Sequence, residues 1–216
     1  PDTAPFIEKP TLSLAGDRMT PEALWAFGRV SNPLVSPDGK TVLYGVTYYS
    51  IEQNKGNREL YVVDVDGNNC TRITHSPKSE FNATWRPDGK RIGFLYPADG
   101  EIQLWEMNPD GSERVQLTAI EDGITGFSYS PDQTMILYTK EVYLDHGFEK
   151  LYDGLPMASG RLMDDLMYRH WDSWVDSYSH VFYASYDGTR VWNDTDIMPG
   201  EPYQAPLKPF GGMEQV

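Results

Sequence analysis

Three times this chain makes the same kind of turn and follows it with residues suited to a strand. Ser36-Pro37-Asp38-Gly39-Lys40 runs into Val42-Leu43-Tyr44, and Arg86-Pro87-Asp88-Gly89-Lys90 runs into Ile92-Gly93-Phe94. Ser130-Pro131-Asp132-Gln133 runs into Met135-Ile136-Leu137-Tyr138. Proline presets φ for a turn, aspartate can bond its own downstream backbone, and glycine takes φ > 0 at no steric cost. The β-branched and aromatic run that follows is what a strand requires. The prolines stand 50 and then 44 residues apart, the repeat length of a four-stranded propeller blade rather than of a helical solenoid unit.

A second phrase keeps step with the first. Leu60-Tyr61-Val62-Val63-Asp64-Val65-Asp66-Gly67 leads to Arg72-Ile73-Thr74, and Leu104-Trp105-Glu106-Met107-Asn108-Pro109-Asp110-Gly111 leads to Gln116-Leu117-Thr118. Both read as strand, Asp-Gly turn, strand, and their glycines are again 44 residues apart. A third copy, Val181-Phe182-Tyr183-Ala184-Ser185-Tyr186-Asp187-Gly188, follows 77 residues after the second, so roughly 33 residues are inserted relative to the period. Unrelated hairpins of a β-sandwich would have no reason to hold two motifs in phase.

The expected fold is therefore all-β, a partial β-propeller of about three four-stranded blades with an inserted helical segment in the third. Residues 1–30 form an N-terminal arm and a short helix. The blades span 31–198, divided as 31–74, 75–118 and 119–198, the last carrying the helical insertion 141–180. Residues 199–216, with Pro202, Pro206, Pro209 and Gly211-Gly212, look like the lead-in to a further blade. In Thr20-Pro21-Glu22-Ala23-Leu24-Trp25-Ala26-Phe27-Gly28, threonine caps a helix and proline fills its first position. Glutamate faces the positive end of the dipole, and glycine ends the helix.

Within the insertion, Met163, Leu166, Met167, His170, Trp171 and Trp174 fall at helical spacing on one face, with Asp164, Asp165, Arg169, Asp172 and Ser173 off it. One outcome is that the two indoles merely pack this helix onto the disc. The sharper one makes Trp171, Asp172 and Trp174 substrate-facing, with the acid meeting a peptide's ammonium group and the indoles its apolar side chains.

Composition sets limits on function. Thirty-two acidic and 18 basic residues give a net charge of −14, a field that repels phosphate backbones and argues against nucleic-acid binding. No stretch approaches the roughly 18 apolar residues of a membrane span. Cys70 is the one cysteine and cannot form an internal disulfide. Asp64-Val65-Asp66-Gly67-Asn68 is similar to the start of a calcium loop, but its glycine falls at the fourth place and the twelfth is His75, so a hairpin turn is expected. No other metal or cofactor motif is present, and neither a metal nor a cofactor is expected.

The opening Met19-Thr20-Pro21-Glu22-Ala23-Leu24-Trp25, then Gly28-Arg29-Val30-Ser31-Asn32-Pro33, resembles the start of the propeller domain of the prolyl oligopeptidase family of serine peptidases. Within that family it is most similar to the dipeptidyl-peptidase and acylaminoacyl-peptidase-like branches. Tyr168-Arg169-His170-Trp171-Asp172-Ser173-Trp174 followed by Ser179-His180-Val181-Phe182 is similar to a stretch those branches carry. The resemblance runs from Met19 to about Thr195. The turns alone are shared with TolB-type periplasmic propellers.

That resemblance implies a C-terminal α/β-hydrolase domain, further blades and a peptide substrate as partners. It also implies a periplasmic or secreted location. The family's nucleophile sits on a Gly-x-Ser-x-Gly turn, a motif that these 216 residues do not contain. No triad residue carries over to His75, His146, His170 or His180, and no catalytic residue is expected in this chain. Its expected function is the propeller portion of a serine peptidase, gating and positioning short peptides. The alternative is a non-enzymatic TolB-like propeller that binds a protein partner. Three blades cannot close a ring of four to eight, so either self-association of this piece or continuation into a longer ring is expected.

Overall fold

A computed structural model of the chain describes residues 6–13, 16–143, 154–155, 157, 169–171 and 173–207. Turn chemistry sets the folding pattern. Ser36 Oγ donates to Asp38 Oδ1 at 2.6 Å and accepts from the amides of Lys40 and Thr41, while Gly39 takes φ +74°. Ser130 repeats the arrangement, with its Oγ on Asp132 and the amides of Thr134 and Met135 on that Oγ. There Gln133 occupies the left-handed position at φ +59°, which costs a side-chain-bearing residue what glycine avoids. In the middle copy Arg86 replaces serine and grips Asp88 through two nitrogens, at 2.9 and 3.0 Å.

Each turn joins two strands of a four-stranded antiparallel meander. Blade 1 comprises β1 (Arg29–Val35), β2 (Thr41–Ser50), β3 (Lys55–Asp64) and β4 (Thr71–Arg72), hydrogen-bonded in chain order. Blade 2 comprises β5 (Phe81–Trp85), β6 (Ile92–Ala98), β7 (Glu101–Met107) and β8 (Val115–Gln116). Blade 3 comprises β9 (Gly126–Tyr129), β10 (Met135–Val142), β13 (Tyr178–Tyr186) and β14 (Val191–Asp196). Between β10 and β13 the chain forms a small two-stranded sheet from β11 (Arg169–His170) and β12 (Ser173–Trp174).

The one helix among the described residues, α1 (Pro21–Ala26), starts as its sequence dictates: Thr20 Oγ1 accepts from Ala23 N. Its end differs from the expectation. The helix stops at Ala26, and Phe27, not Gly28, leads out in extended conformation. Gly28 serves packing instead. A Cβ there would stand 2.7 Å from Val46 Cγ1 and 2.9 Å from the Tyr48 ring, so only glycine lets the chain cross β2 this closely.

A cross-strand aromatic pair recurs in the register of every blade: Tyr44 with Tyr61, Phe94 with Trp105, and Tyr138 with Phe182. Blade 2 turns its pair toward Leu43 and Leu60 of blade 1, in a cluster that includes Ala83, Trp85, Ile92 and Met107. Blade 3 turns its pair toward Leu95 and Leu104 of blade 2. The blades thus stack face to face, and the apolar core lies in the two seams.

Buried polar groups lock these seams. Glu106 is fully buried, and its Oε1 accepts from Tyr129 Oη at 2.7 Å and from Tyr186 Oη. Its Oε2 lies 3.4 Å from Arg86 Nη1 and 3.6 Å from Arg91 Nε. Burial and the adjacent Glu106 carboxylate push the Tyr129 phenol well above its ordinary pKa. Burial also pushes the Glu80 carboxyl up, although Arg114 Nη1 donates to it at 2.9 Å.

A further row of buried polar side chains stands eight residues before each Asp-Gly glycine: Glu59, Gln103 and His180. Each holds the segment leaving its own blade. Glu59 accepts from Ser76 N at 2.9 Å, and Gln103 accepts from Ile120 N and donates to Ile120 O. His180 Nε2 bonds Glu201 O at 2.9 Å, while its Nδ1 meets Asp196.

Candidate functional site

Successive connections of a meander alternate between the two ends of a sheet. The Pro-Asp and Asp-Gly turns therefore share one rim. The β2–β3, β6–β7 and β10–β13 connections share the other, together with the strand exits and α1, which feeds β1. This second rim carries the residues expected to face substrate.

The helical face expected across Met163–Trp174 is corrected where it is described. Residues 169–174 reverse as a hairpin, with Arg169 opposite Trp174 and His170 opposite Ser173. Trp171 sits at the bend with φ +49°. A left-handed bend residue cannot belong to a continuous helix, and alternation along the two short strands replaces the 3.6-residue period. Arg169 stabilises the reversal twice: its Nε donates to Trp171 O at 3.0 Å, and its guanidinium stacks 5.0 Å over the Trp174 ring. Apolar spacing alone did not separate these outcomes, because residues three apart also bracket a tight turn.

Trp171 is 79% exposed and Trp174 is 40% exposed. The indoles are thus on one hairpin, as a surface that can stack on an apolar or cationic group. Asp172, Met163, Leu166 and Met167 lie outside the described residues, as does His146. The expected acid-and-indole trio is represented by its two tryptophans.

On the same rim, α1, the N-terminal arm and the β2–β3 tip enclose an open cavity of about 340 Å³, which sequence reasoning did not single out. Trp25 meets Tyr49 edge-on at 5.6 Å, and Glu8, Glu22 and Glu52 contribute carboxylates. Hydrogen bonds from its own backbone amide and from Thr20 pull Glu22 below the ordinary carboxylate range. Glu8 is likewise lowered, by Arg72 at 2.9 Å and His75 at 2.6 Å. His75 is thereby an arm-anchoring surface residue. Its exposed ring also stacks on Phe6 at 4.4 Å. The signal that could have found the cavity was Trp25, an aromatic side chain left 45% exposed on a six-residue helix.

The first strands of the blades form another wall. Asn32 and Asn82, each five residues before its turn proline, take φ +50° and +49° beside a register shift in β1 and β5. A cavity of about 280 Å³ opens between Asn82–Trp85 of blade 2 and Phe127–Tyr129 of blade 3. The acids of the calcium-like stretch are engaged locally: Asp66 Oδ1 accepts from Asn68 N and Asp64 Oδ2 from Asn69 Nδ2. Among the described residues, no three His, Cys, Asp or Glu side chains converge as a metal cluster. Nor is any helix long and apolar enough to cross a membrane.

Four-stranded meanders stacked through their faces define an open arc of a β-propeller. The chain belongs to the TolB β-propeller domain family, whose sequence profile matches residues 22–191. It is 44% identical over 199 residues to dipeptidyl-peptidase 5 of Porphyromonas gingivalis, which covers 92% of this chain and 29% of that protein. Dipeptidyl-peptidase 5 of Porphyromonas endodontalis is 38% identical over 198 residues, with the same coverage. The solved acylaminoacyl peptidase of Pyrococcus horikoshii superposes with a TM-score of 0.59 at 15% identity, over 80% of this chain and 25% of that one, a likeness of fold. The chain therefore spans less than a third of the length of these relatives, and the resemblance to peptidase propellers read from its opening and its Arg-His-Trp-Asp stretch is met.

Proposed function

We propose that this chain is the N-terminal propeller portion of a serine peptidase that releases dipeptides from short peptides. In this reading a C-terminal α/β-hydrolase domain of the same polypeptide carries the nucleophile. The propeller excludes folded proteins by size and positions the substrate. The observation that carries the reading is the 44% identity to a dipeptidyl-peptidase across 92% of the chain. At that identity the fold is shared, and the proposal extends the likeness to the context of the domain. In this reading the nucleophile's Gly-x-Ser-x-Gly turn, which these residues do not contain, belongs to the hydrolase domain.

The functional units are those read from the repeat: residues 1–30 as arm and helix, blades at 31–74, 75–118 and 119–198, and 199–216 leading into the next blade. Trp171 and Trp174 face the substrate, with Asp172 beside them to meet its ammonium group. The protein works in the periplasm or outside the cell. A non-enzymatic TolB-like binding module would suit the family match alone; the identity to peptidases ranks it second.

The test is labelling of the full-length protein by a serine-directed fluorophosphonate, paired with release of dipeptides from an unblocked peptide. Labelling with dipeptide release supports the proposal. A full-length protein that neither labels nor cleaves, and whose sequence ends after two or three further blades, is the binding module.

A further inference from the structure

The segment that leaves blade 1 brings two acids to one hydroxyl. Thr74 Oγ1 lies 2.7 Å from Glu59 Oε2 and 3.1 Å from Glu80 Oε2, and it accepts from Leu60 N at 2.8 Å. All three side chains are buried, Glu80 completely. A hydroxyl has one hydrogen to donate and two lone pairs. Leu60 N occupies one lone pair, and the shorter contact directs the hydrogen to Glu59. The contact with Glu80 then sets a lone pair against a carboxyl oxygen, which is attractive only where that oxygen carries a hydrogen. Glu59 is the ionised member, because its Oε1 also accepts from Asn57 Nδ2 and Ser76 N, at 3.0 and 2.9 Å.

The repeat supplies its own control. In blade 2, 44 residues on, Thr118 Oγ1 donates to Gln103 at 2.7 Å and accepts from Leu104 N at 2.9 Å. Ile124 N donates to Ile102 O just as Glu80 N donates to Arg58 O. The hydroxyl and the backbone geometry recur, but Gln103, Ile102 and Ile124 stand where blade 1 has Glu59, Arg58 and Glu80. An acid is therefore not what the fold requires at this point, and of the two exits only that of blade 1 can titrate through it.

We infer that Glu80 keeps a proton on Oε2 at pH values where a solvent-exposed carboxyl has lost its own, and that releasing it loosens the segment joining blades 1 and 2. Arg114 holds the other side of that segment. Its Nη1 donates to Glu80 Oε1 at 2.9 Å and to Ser76 Oγ at 2.8 Å, while its guanidinium lies over the Tyr96 and Phe94 rings of blade 2. The linker is thus clamped between Glu59 of blade 1 and Arg114 of blade 2, with the Glu80 proton on the bridging contact. Once Glu80 ionises, two carboxylates compete for the one hydrogen of Thr74. Arg58 and Glu59 of β3, Tyr96 of β6 and Arg114 ahead of β8 are the ionisable groups that act on Glu80. Burial, aided by Glu59, holds its carboxyl above the ordinary value against the opposing pull of Ser76 and Arg114. The folded protein therefore binds this proton more tightly than the unfolded chain. The clamp is complete below the ordinary carboxyl range and is lost as pH rises through the raised value. None of this depends on what the protein acts on.

Infrared difference spectroscopy of the full-length protein at about pH 6, where exposed carboxyls are ionised, tests the proton. The wild type should show the carbonyl stretch of a protonated carboxyl that Glu80→Gln lacks, and identical spectra would overturn the inference. Where that variant does not fold, Glu59→Gln takes its place. With the like charge gone, the band should disappear at lower pH than in the wild type, and an unchanged titration refutes the assignment. Amide hydrogen exchange reads the loosening, with blade 2 as the reference. Protection of the Leu60, Ser76 and Glu80 amides relative to those of Leu104, Ile120 and Ile124 should fall by up to about tenfold per pH unit until Glu80 has ionised. It should stay constant in Glu80→Gln. A parallel pH response of the two sets in the wild type defeats the loosening.

Discussion

Removing the Glu106 carboxylate should open the seam between blades 2 and 3. The group is fully buried, and it accepts from two phenols while lying within 3.6 Å of two guanidinium nitrogens. Glu106→Ala leaves Tyr129 and Tyr186 without that acceptor. Arg86 retains Asp88, and Arg91 retains Asn108 and Glu113. Breaking a buried ion pair costs about 3–5 kcal/mol, and the retained partners place this one near the lower end, about 3 kcal/mol. With a urea m-value near the upper end of the usual range, about 3 kcal/mol/M, the unfolding midpoint should fall by about 1 M.

Tyr186→Phe removes one donor to the same oxygen and should cost about 1 kcal/mol. It serves as the milder probe where the alanine variant does not fold. Tryptophan fluorescence during urea unfolding follows both, because Trp85 and Trp105 lie in or against the neighbouring seam. The double variant should fall short of additivity by about 1 kcal/mol. A midpoint shift below about 0.3 M for Glu106→Ala, or strict additivity, would refute the reasoning.

Three further outcomes follow from single positions. Gln133→Gly should stabilise by about 0.5–1 kcal/mol, since glycine holds φ +59° without the side-chain penalty; a lowered melting temperature would contradict this. Gly93→Ala should destabilise by about 1–3 kcal/mol, because its Cβ would press on the Tyr129 hydroxyl and stand 3.0 Å from Phe127. An unchanged midpoint would show that the rings yield freely. Burial and the Cys70 contact push the Tyr44 phenol up to about 12 from 10.0. The folded state therefore holds that proton more tightly than the unfolded chain, and stability should be lost as pH rises from 10 toward 12. Ultraviolet difference titration of wild type against Tyr44→Phe isolates this phenol, and ionisation near 10 would count against the contact.

What the sequence disclosed was local turn chemistry. Pro37, Pro87 and Pro131 each force a reversal within five residues, so their spacing revealed the sheets before any packing was known. The buried anchors were silent for the opposite reason. Glu59, Gln103 and His180 share a position and a hydrogen-bonding task, but not a charge, a shape or a motif. Their fixed distance from the Asp-Gly glycine is in the sequence, but three different side chains gave it no motif to be noticed by. Asn32 and Asn82 kept a fixed distance from proline, yet a left-handed asparagine in a strand is a backbone event without an apolar signature. In the insertion, the spacing of Trp171 and Trp174 suited both a helix and a tight hairpin, and the Arg169 stack decided between them. For Trp171 and Trp174 the sequence gave a helical backbone where the structure has a hairpin.

Because Glu59, Gln103 and His180 each tether the segment that leaves their own sheet, the direction of travel into a neighbour is decided inside every module rather than at the hub. Curvature is then inherited link by link, like the set of a chain whose joints are individually pinned. Modules can be gained, lost or lengthened at their tips during descent while the remainder keeps its pitch, and relatives with different ring sizes become accessible without rebuilding the centre.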